Sequence, residues 1–178
     1  MTMKEIGELT SLKRPAIYNY FQTKEEIFLA LLQREYEQWA EEFNMITDSR
    51  EAMTADEIAS ELARSLEKRG RMLQLFSMNH FDMEANSRLE NLTEFKTAYG
   101  KSVSAVERCI AKFCPDISEK ERQDFIYSFF PFIYGIYPYT MVTEKQRKAM
   151  KDAEIDFVYL SIYEIAYTCA KKLLGVKD

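Results

Sequence analysis

The chain has 178 residues, enough for one globular core or for a small module joined to a larger one. A hydrophobic content of 47% excludes a disordered or fibrous protein, while 30% charged residues with only five Gly and four Pro favour helices over a turn-rich β fold. The net charge of −5 excludes a general polyanion binder, but residues 1–34 carry +1 and the remainder −6, so any contact with nucleic acid is expected at the amino-terminal end.

Residues 3–21 read as two short helices, MKEIGEL and KRPAIYNYF, joined by TSL. Ile6 and Leu9 on the first would meet Leu12, Ile17 and Phe21 on the second, a helix-turn-helix hydrophobic pattern. The second helix then turns Arg14, Ala16, Asn19 and Tyr20 away from this small core, with Pro15 in the first turn, where a missing N–H costs little. Those side chains suit a DNA-reading helix. Arg14 offers two donors to guanine, Pro15 and Ala16 fit a thymine methyl, and Asn19 pairs with adenine. Tyr20 and Lys24 would hold phosphates without reading sequence. An ordinary solvated helical hairpin explains the same spacing equally well.

Helix starts beyond this module are marked by capping boxes, Thr23 with Glu26, Thr54 with Glu57 and Ser118 with Glu121. With apolar spacing they predict helices near 24–46, 54–68, 71–82, 91–113, 119–139 and 154–174, and no alternating strand. The class is all-α. Along 24–46 the buried face is expected to change, from Ile27 and Leu31 to Phe28, Leu32, Trp39, Phe43 and Ile46, as in a helix linking two packing units. The uncharged run 125–143 reads as a buried helix kinked at Pro131, not a membrane span, because of its tyrosines, prolines and glycine. Residues 154–174 would place apolar side chains over an arc of roughly 220°, against the ~100° that one-sided packing needs. Such a helix is either sunk in its own chain or half of a self-complementary dimer face, with 119–139 as its natural partner.

Cys109, Cys114 and Cys169 form no CxxC pair and are expected to be reduced thiols, and the amino terminus lacks the apolar core of a signal peptide, so a cytoplasmic protein is expected. A single histidine excludes paired Glu-x-x-His di-metal chemistry, and no zinc motif, nucleophile elbow or phosphate-binding glycine loop is present. Neither catalysis nor a cofactor or metal is expected.

The run TMKEIGELTSLKRPAIYNYFQTKEEIF closely resembles the DNA-binding signature of the tetracycline-repressor (TetR-type) family, through Thr2, Ile6, Ile17, Tyr18, Tyr20, Phe21, Thr23, Lys24, Glu25 and Ile27. The resemblance implies that Arg14, Pro15, Ala16, Tyr18 and Asn19 face bases, that Tyr20 and Lys24 contact phosphate, and that Thr2, Lys4 and Lys13 assist. Ser11 stands where the turn usually has glycine, and Lys13 replaces the small hydroxyl usual at the start of the reading helix, changes that cost some turn and cap stability. Family members begin with a further helix before the Thr-Ile segment. This chain starts at Met1-Thr2, so residues 2–21 are expected to be mobile or rearranged and DNA binding weak.

The same resemblance divides the chain into a DNA-binding domain with its connecting helix, residues 1–45, and a larger ligand-binding and dimerisation domain, residues 46–178. It implies a homodimer on a palindromic double-stranded operator and a small hydrophobic or aromatic ligand, with no membrane partner. Candidate pocket walls are Trp39, Phe43, Phe76, His80, Phe95, Tyr99, Phe130 and Tyr134, residue types that also build plain cores. The dimer face would be carried by Val158, Ile162, Ile165 and Cys169. A ligand-responsive regulator, most often a repressor in this family, is the reading that results. Its rival is a dimeric ligand-binding or protein-interaction module without effective DNA binding.

Overall fold

A computed structural model describes residues 4–6, 14–78 and 80–177. Residues 4–6 are helical, and nine further helices follow among the described residues, with no strand. They are α1 (Arg14–Tyr20), α2 (Lys24–Ser49), α3 (Ala55–Glu67), α4 (Gly70–Phe76), α5 (His80–Ala85), α6 (Leu89–Phe113), α7 (Glu119–Thr140), α8 (Glu144–Asp152) and α9 (Ile162–Leu173). The described residues are all-α, with the short α1 leading through α2 into a larger helical body.

All three predicted cap residues start helices, and two of the three boxes close, Thr23 accepting from Glu26 N without the reciprocal bond. Thr54 and Ser118 each accept from the backbone N–H three residues on, while Glu57 and Glu121 reach back to the cap residue. Thr143 with Gln146 and Ser161 with Glu164 form two more, and these explain the main departures from the sequence reading. The first creates α8, which apolar spacing alone did not signal. The second starts the last helix at Ile162 instead of 154. Val158 therefore lies in the irregular stretch before α9, 73% exposed, and does not share a helical face with Ile162, Ile165 and Cys169. The helix expected over 71–82 is likewise two, α4 and α5.

α2 is the central beam. Its buried side chains Leu29, Leu32, Tyr36, Trp39, Ala40, Phe43 and Thr47 follow one i+3/i+4 stripe from end to end. The expected change of face does not occur, since Leu31 is exposed while Leu29 and Tyr36 are buried. This stripe packs along α6, and α3, α4 and α7 close the core around Trp39, Phe43, Ile58, Leu62, Met72, Phe95 and Phe130.

α7 continues through Pro131 and Pro138 as one helix. Each proline removes the donor to a carbonyl four residues earlier, at Tyr127 and Tyr134. Both prolines sit on the exposed side, where water can serve the freed oxygens. α9 rests on α3 and α7. Tyr163 and Ser60 share a hydroxyl–hydroxyl hydrogen bond of 3.0 Å, and the Tyr167 hydroxyl donates to Asp56 at 2.5 Å. Only Ala166 and Ala170 of α9 are buried, so its apolar arc is not sunk in its own chain.

Candidate functional site

Ile17 is the inward anchor of α1, and helix geometry then turns Tyr18, Asn19 and Tyr20 outward, with Tyr18 43% and Tyr20 72% exposed. Arg14 sits at the first helical position, followed by Pro15 and Ala16; the side chains of these three, and Thr2 and Lys13 altogether, lie outside the described residues. Lys4 is exposed. Lys24 opens α2 and lies 3.6 Å from Glu25, a long, partly exposed pair that competes little with a phosphate. The expectation of a mobile 2–21 segment falls largely on residues that are not described.

The corner between α1 and α2 is tied to the body by a contact that sequence reasoning missed. Glu26, 1% exposed, accepts from the backbone N–H of Gln22 at 2.7 Å and from that of Arg88 at 3.0 Å. It also receives Arg88 Nε at 2.8 Å and Nη2 at 3.1 Å. Arg88 Nη2 donates as well to the carbonyl of Tyr20, the last residue of α1, at 2.9 Å. Beside them the Thr23 hydroxyl donates to the Asn86 carbonyl at 2.9 Å while accepting from Glu26 N at 3.2 Å. The Arg88 guanidinium holds the Glu26 carboxyl below its ordinary value against the opposing effect of burial. The end of the reading helix is thus fastened to the α5–α6 junction by a charged clasp. The one available signal was positional, since Glu26 falls three residues before Leu29 on the buried stripe of α2.

The aromatic candidates converge. Tyr36, which the sequence reading did not single out, sits at their centre with ring centroids 5.6 Å from Phe76, 5.8 Å from Phe95 and 5.4 Å from Tyr99. Phe76 stacks on Tyr134 at 4.3 Å, and Phe130 lies 5.8 Å from Tyr99 and 5.3 Å from Trp39, which meets Phe43 at 6.0 Å. These rings come from α2, α4, α6 and α7, the helices that surround the inner end of the beam. The side chain of His80, the remaining candidate, lies outside the described residues.

Polar groups within this cluster are few and neutral. The Tyr36 and Tyr134 hydroxyls lie 3.0 Å apart, and Trp39 Nε1 donates to Ser65 Oγ at 2.9 Å. Burial pushes the Tyr36 phenol well up, with the neighbouring Tyr134 adding to it, and burial also raises Tyr134 and Tyr99. The cluster therefore presents aromatic faces and uncharged hydroxyls. Tyr36→Phe is expected to cost about 1 kcal/mol, because the half-buried Tyr134 hydroxyl can turn to water. Urea unfolding checks this, and a cost above about 3 kcal/mol would contradict it.

All three cysteines are free, and burial raises each thiol. No group of metal-binding side chains is present among the described residues, and none of their helices is long and apolar enough to cross a membrane. On α7 and α9, Phe132, Gly135, Ile136, Tyr139 and Ile165 line a shallow apolar groove of about 270 Å³. This sets the predicted dimer residue Ile165 against the outward side of α7.

No curated protein matches the chain. Two family models do: residues 1–31 match that of bacterial regulatory proteins of the tetR family, and residues 33–161 match the tetracyclin repressor-like C-terminal domain. With a helix-turn-helix reader at one end and a family-matched helical body over most of the rest, the chain belongs to the TetR family of DNA-binding transcriptional regulators.

Proposed function

We propose that the protein is a homodimeric, ligand-responsive repressor that binds a palindromic operator in the cytoplasm. The observation that carries this reading is the clasp of Glu26 and Arg88, which couples the end of the reading helix to α6, a helix that also lines the aromatic cluster. A planar, uncharged guest among the rings of Tyr36, Phe76, Phe95, Tyr99 and Tyr134 would displace α6 against α2. The clasp would then shift α1 with it. Two reading helices about one DNA turn apart, roughly 34–36 Å, would lose register, with a coupling of about 1–3 kcal/mol. We divide the chain functionally at residue 45, so that α2 belongs to the reader as its connecting helix while its Tyr36, Trp39 and Phe43 reach into the ligand domain.

The test is operator binding, using the promoter of the protein's own gene, with and without aromatic compounds shown to bind the chain. Affinity that falls with salt and shifts with a bound compound supports the reading. Unchanged affinity across every bound compound would remove the switching claim. DNA binding too weak to depend on sequence would favour a module that no longer regulates transcription.

Within the reader, Arg14→Ala is expected to relax base preference and cost about 1–3 kcal/mol. Lys24→Ala is expected to weaken all sequences alike and to flatten the salt slope by about one unit. Specificity that survives Arg14→Ala but changes with Lys24→Ala would reverse the two roles.

A further inference from the structure

We infer that the cleft between the end of α7, α8 and the stretch after α8 binds a small aromatic carboxylate, at a site separate from the ring cluster around Tyr36. The cleft has a volume of about 310 Å³, near the lower end of the range for small-molecule sites. Pro138 and Tyr139 form its α7 wall, one turn and more beyond Tyr134, and none of its lining residues belongs to the ring cluster. Gln146 and Met150 form the α8 wall. The third wall is Phe157 with Tyr159, and the end of α8 explains how they come to face it. The Ile155 N–H donates to the Met150 carbonyl at 3.0 Å, and Glu154 takes a left-handed φ of 55°, a helix-terminating turn that sends the chain back along α8. Phe157 then stacks on Tyr139 with centroids 6.5 Å apart and meets Tyr159 edge-on at 5.1 Å.

The polar groups at this cleft can all donate. The Thr143 N–H and hydroxyl both donate to Gln146 Oε1, at 2.8 and 2.9 Å. An N–H only donates, so the amide atom facing it is the oxygen, and what Gln146 has left to offer is its NH2. The Tyr139 and Tyr159 hydroxyls have no hydrogen-bond partner among the described residues, and no carboxylate lines the cleft among them.

Arg147 stands at the side, next to Gln146 on α8. Its guanidinium lies over the Tyr159 ring at 4.3 Å and makes no ion pair among the described residues. Stacking uses the face of a guanidinium, whereas a carboxylate binds in its plane, so the N–H edge stays open to an anion. Residues 144–161 hold four cations and four anions, so their net charge selects nothing. The selection is local. Lys148 is taken by Asp152 at 2.7 Å, while Glu144, Glu154 and Asp156 form no ion pair with Arg147. A one-ring acid of about ten non-hydrogen atoms would lay its ring among Tyr139, Met150 and Phe157 and turn its carboxylate to Arg147 and the Gln146 NH2. A cation is disfavoured, because the Tyr159 ring already carries the Arg147 charge.

The probe is phenylacetate, titrated into the full chain by ligand-detected NMR beside its methyl ester and phenethylamine, the neutral and cationic counterparts. Phenylacetate is expected to bind with a Kd of about 0.1–1 mM, and the other two at least about fivefold more weakly. Arg147→Gln is expected to weaken the acid by about tenfold and to leave the ester unchanged. Ala149→Phe, which fills the cleft, is expected to abolish binding of both, while Lys148→Gln changes neither. All three positions are exposed on α8, and circular dichroism melts confirm that the variants fold as the parent does. Uncharged guests of the ring cluster should bind Arg147→Gln and Ala149→Phe as they bind the parent, which separates this site from the proposed effector site. Equal binding of acid, ester and amine, or no binding of the acid to the parent, would overturn the inference. So would acid binding that survives both Arg147→Gln and Ala149→Phe, since the acid would then sit elsewhere.

Discussion

Arg88→Ala will weaken the attachment of the reading module to the body, read as faster local amide exchange around the α1–α2 corner. Glu26 is 1% exposed and would keep two backbone donors, from Gln22 and from residue 88 itself, but lose its charged partner. The Arg88 side chain is 40% exposed, so part of the pair's attraction is already screened by water. The variant also frees the Tyr20 carbonyl at the end of α1. The loss should be local. Amide exchange across residues 14–30 is expected to quicken, while the fluorescence transition of Trp39, deep in the body, moves little.

The pH response of this clasp has a defined sign. Glu26 titrates lower folded than unfolded, so the unfolded chain binds more protons and stability rises with pH through that interval. The contribution is complete above the ordinary glutamate value and is lost as pH falls through the lower, folded-state value. Acid therefore loosens the α1–α2 corner through Glu26, while the tyrosines of the aromatic cluster remain neutral and take no part. In Arg88→Ala this part of the acid response should shrink. Exchange at residues 14–30 that matches the parent at every pH would show that the clasp does not hold the reader.

The parts of this architecture that sequence revealed are those with local causes. Hydroxyl caps with a Glu three residues on located α3 and α7, and the apolar positions of KRPAIYNYF placed Ile17 inward and Tyr20 outward. The extra length assigned to the last helix had a physical origin too. Ile155, Val158 and Tyr159 fall at helical spacing with Ile162, yet Ser161 and Glu164 end that continuity by capping a new helix. Spacing reports which residues are apolar, and capping reports where hydrogen bonding can begin.

Tertiary partnerships were less legible. Nothing near Glu26 in the chain announces Arg88, sixty-two residues away, and the glutamate already had a local explanation as the end of a capping box. In the folded protein its carboxylate reaches Gln22 N and Arg88 instead of the Thr23 backbone. Tyr36 was overlooked for a related reason. The apolar stripe is marked by Trp39 and Phe43, while the ring that touches Phe76, Phe95 and Tyr99 lies one turn earlier on the same face. The seven described candidates for pocket walls do gather, but each fills space against another ring, which is equally what a core requires.

Trp39→Ala separates those two meanings. Trp39 is fully buried, packed between an edge-on Phe43 and a tilted Phe130 and hydrogen-bonded to Ser65, so the truncation should cost about 3–5 kcal/mol. Ser65 Oγ still donates to the Leu62 carbonyl at 2.7 Å, so only its accepting side is left open. Trp39→Phe keeps a ring between the same neighbours and should cost about 1–3 kcal/mol, mostly from the lost hydrogen bond and smaller volume. The space left by alanine is apolar with one acceptor, the shape and polarity of an indole with its N–H. Added indole is therefore expected to raise the melting temperature of Trp39→Ala and to leave the parent unchanged. A cost below about 1 kcal/mol would mean that the body tolerates a void there and that Trp39 is no keystone. If the indole-filled variant regains stability yet no longer answers compounds that move the parent from DNA, the tryptophan is a wall of the ligand site. If both properties return together, its part is core packing alone, and the guest belongs nearer Tyr36 and Tyr134.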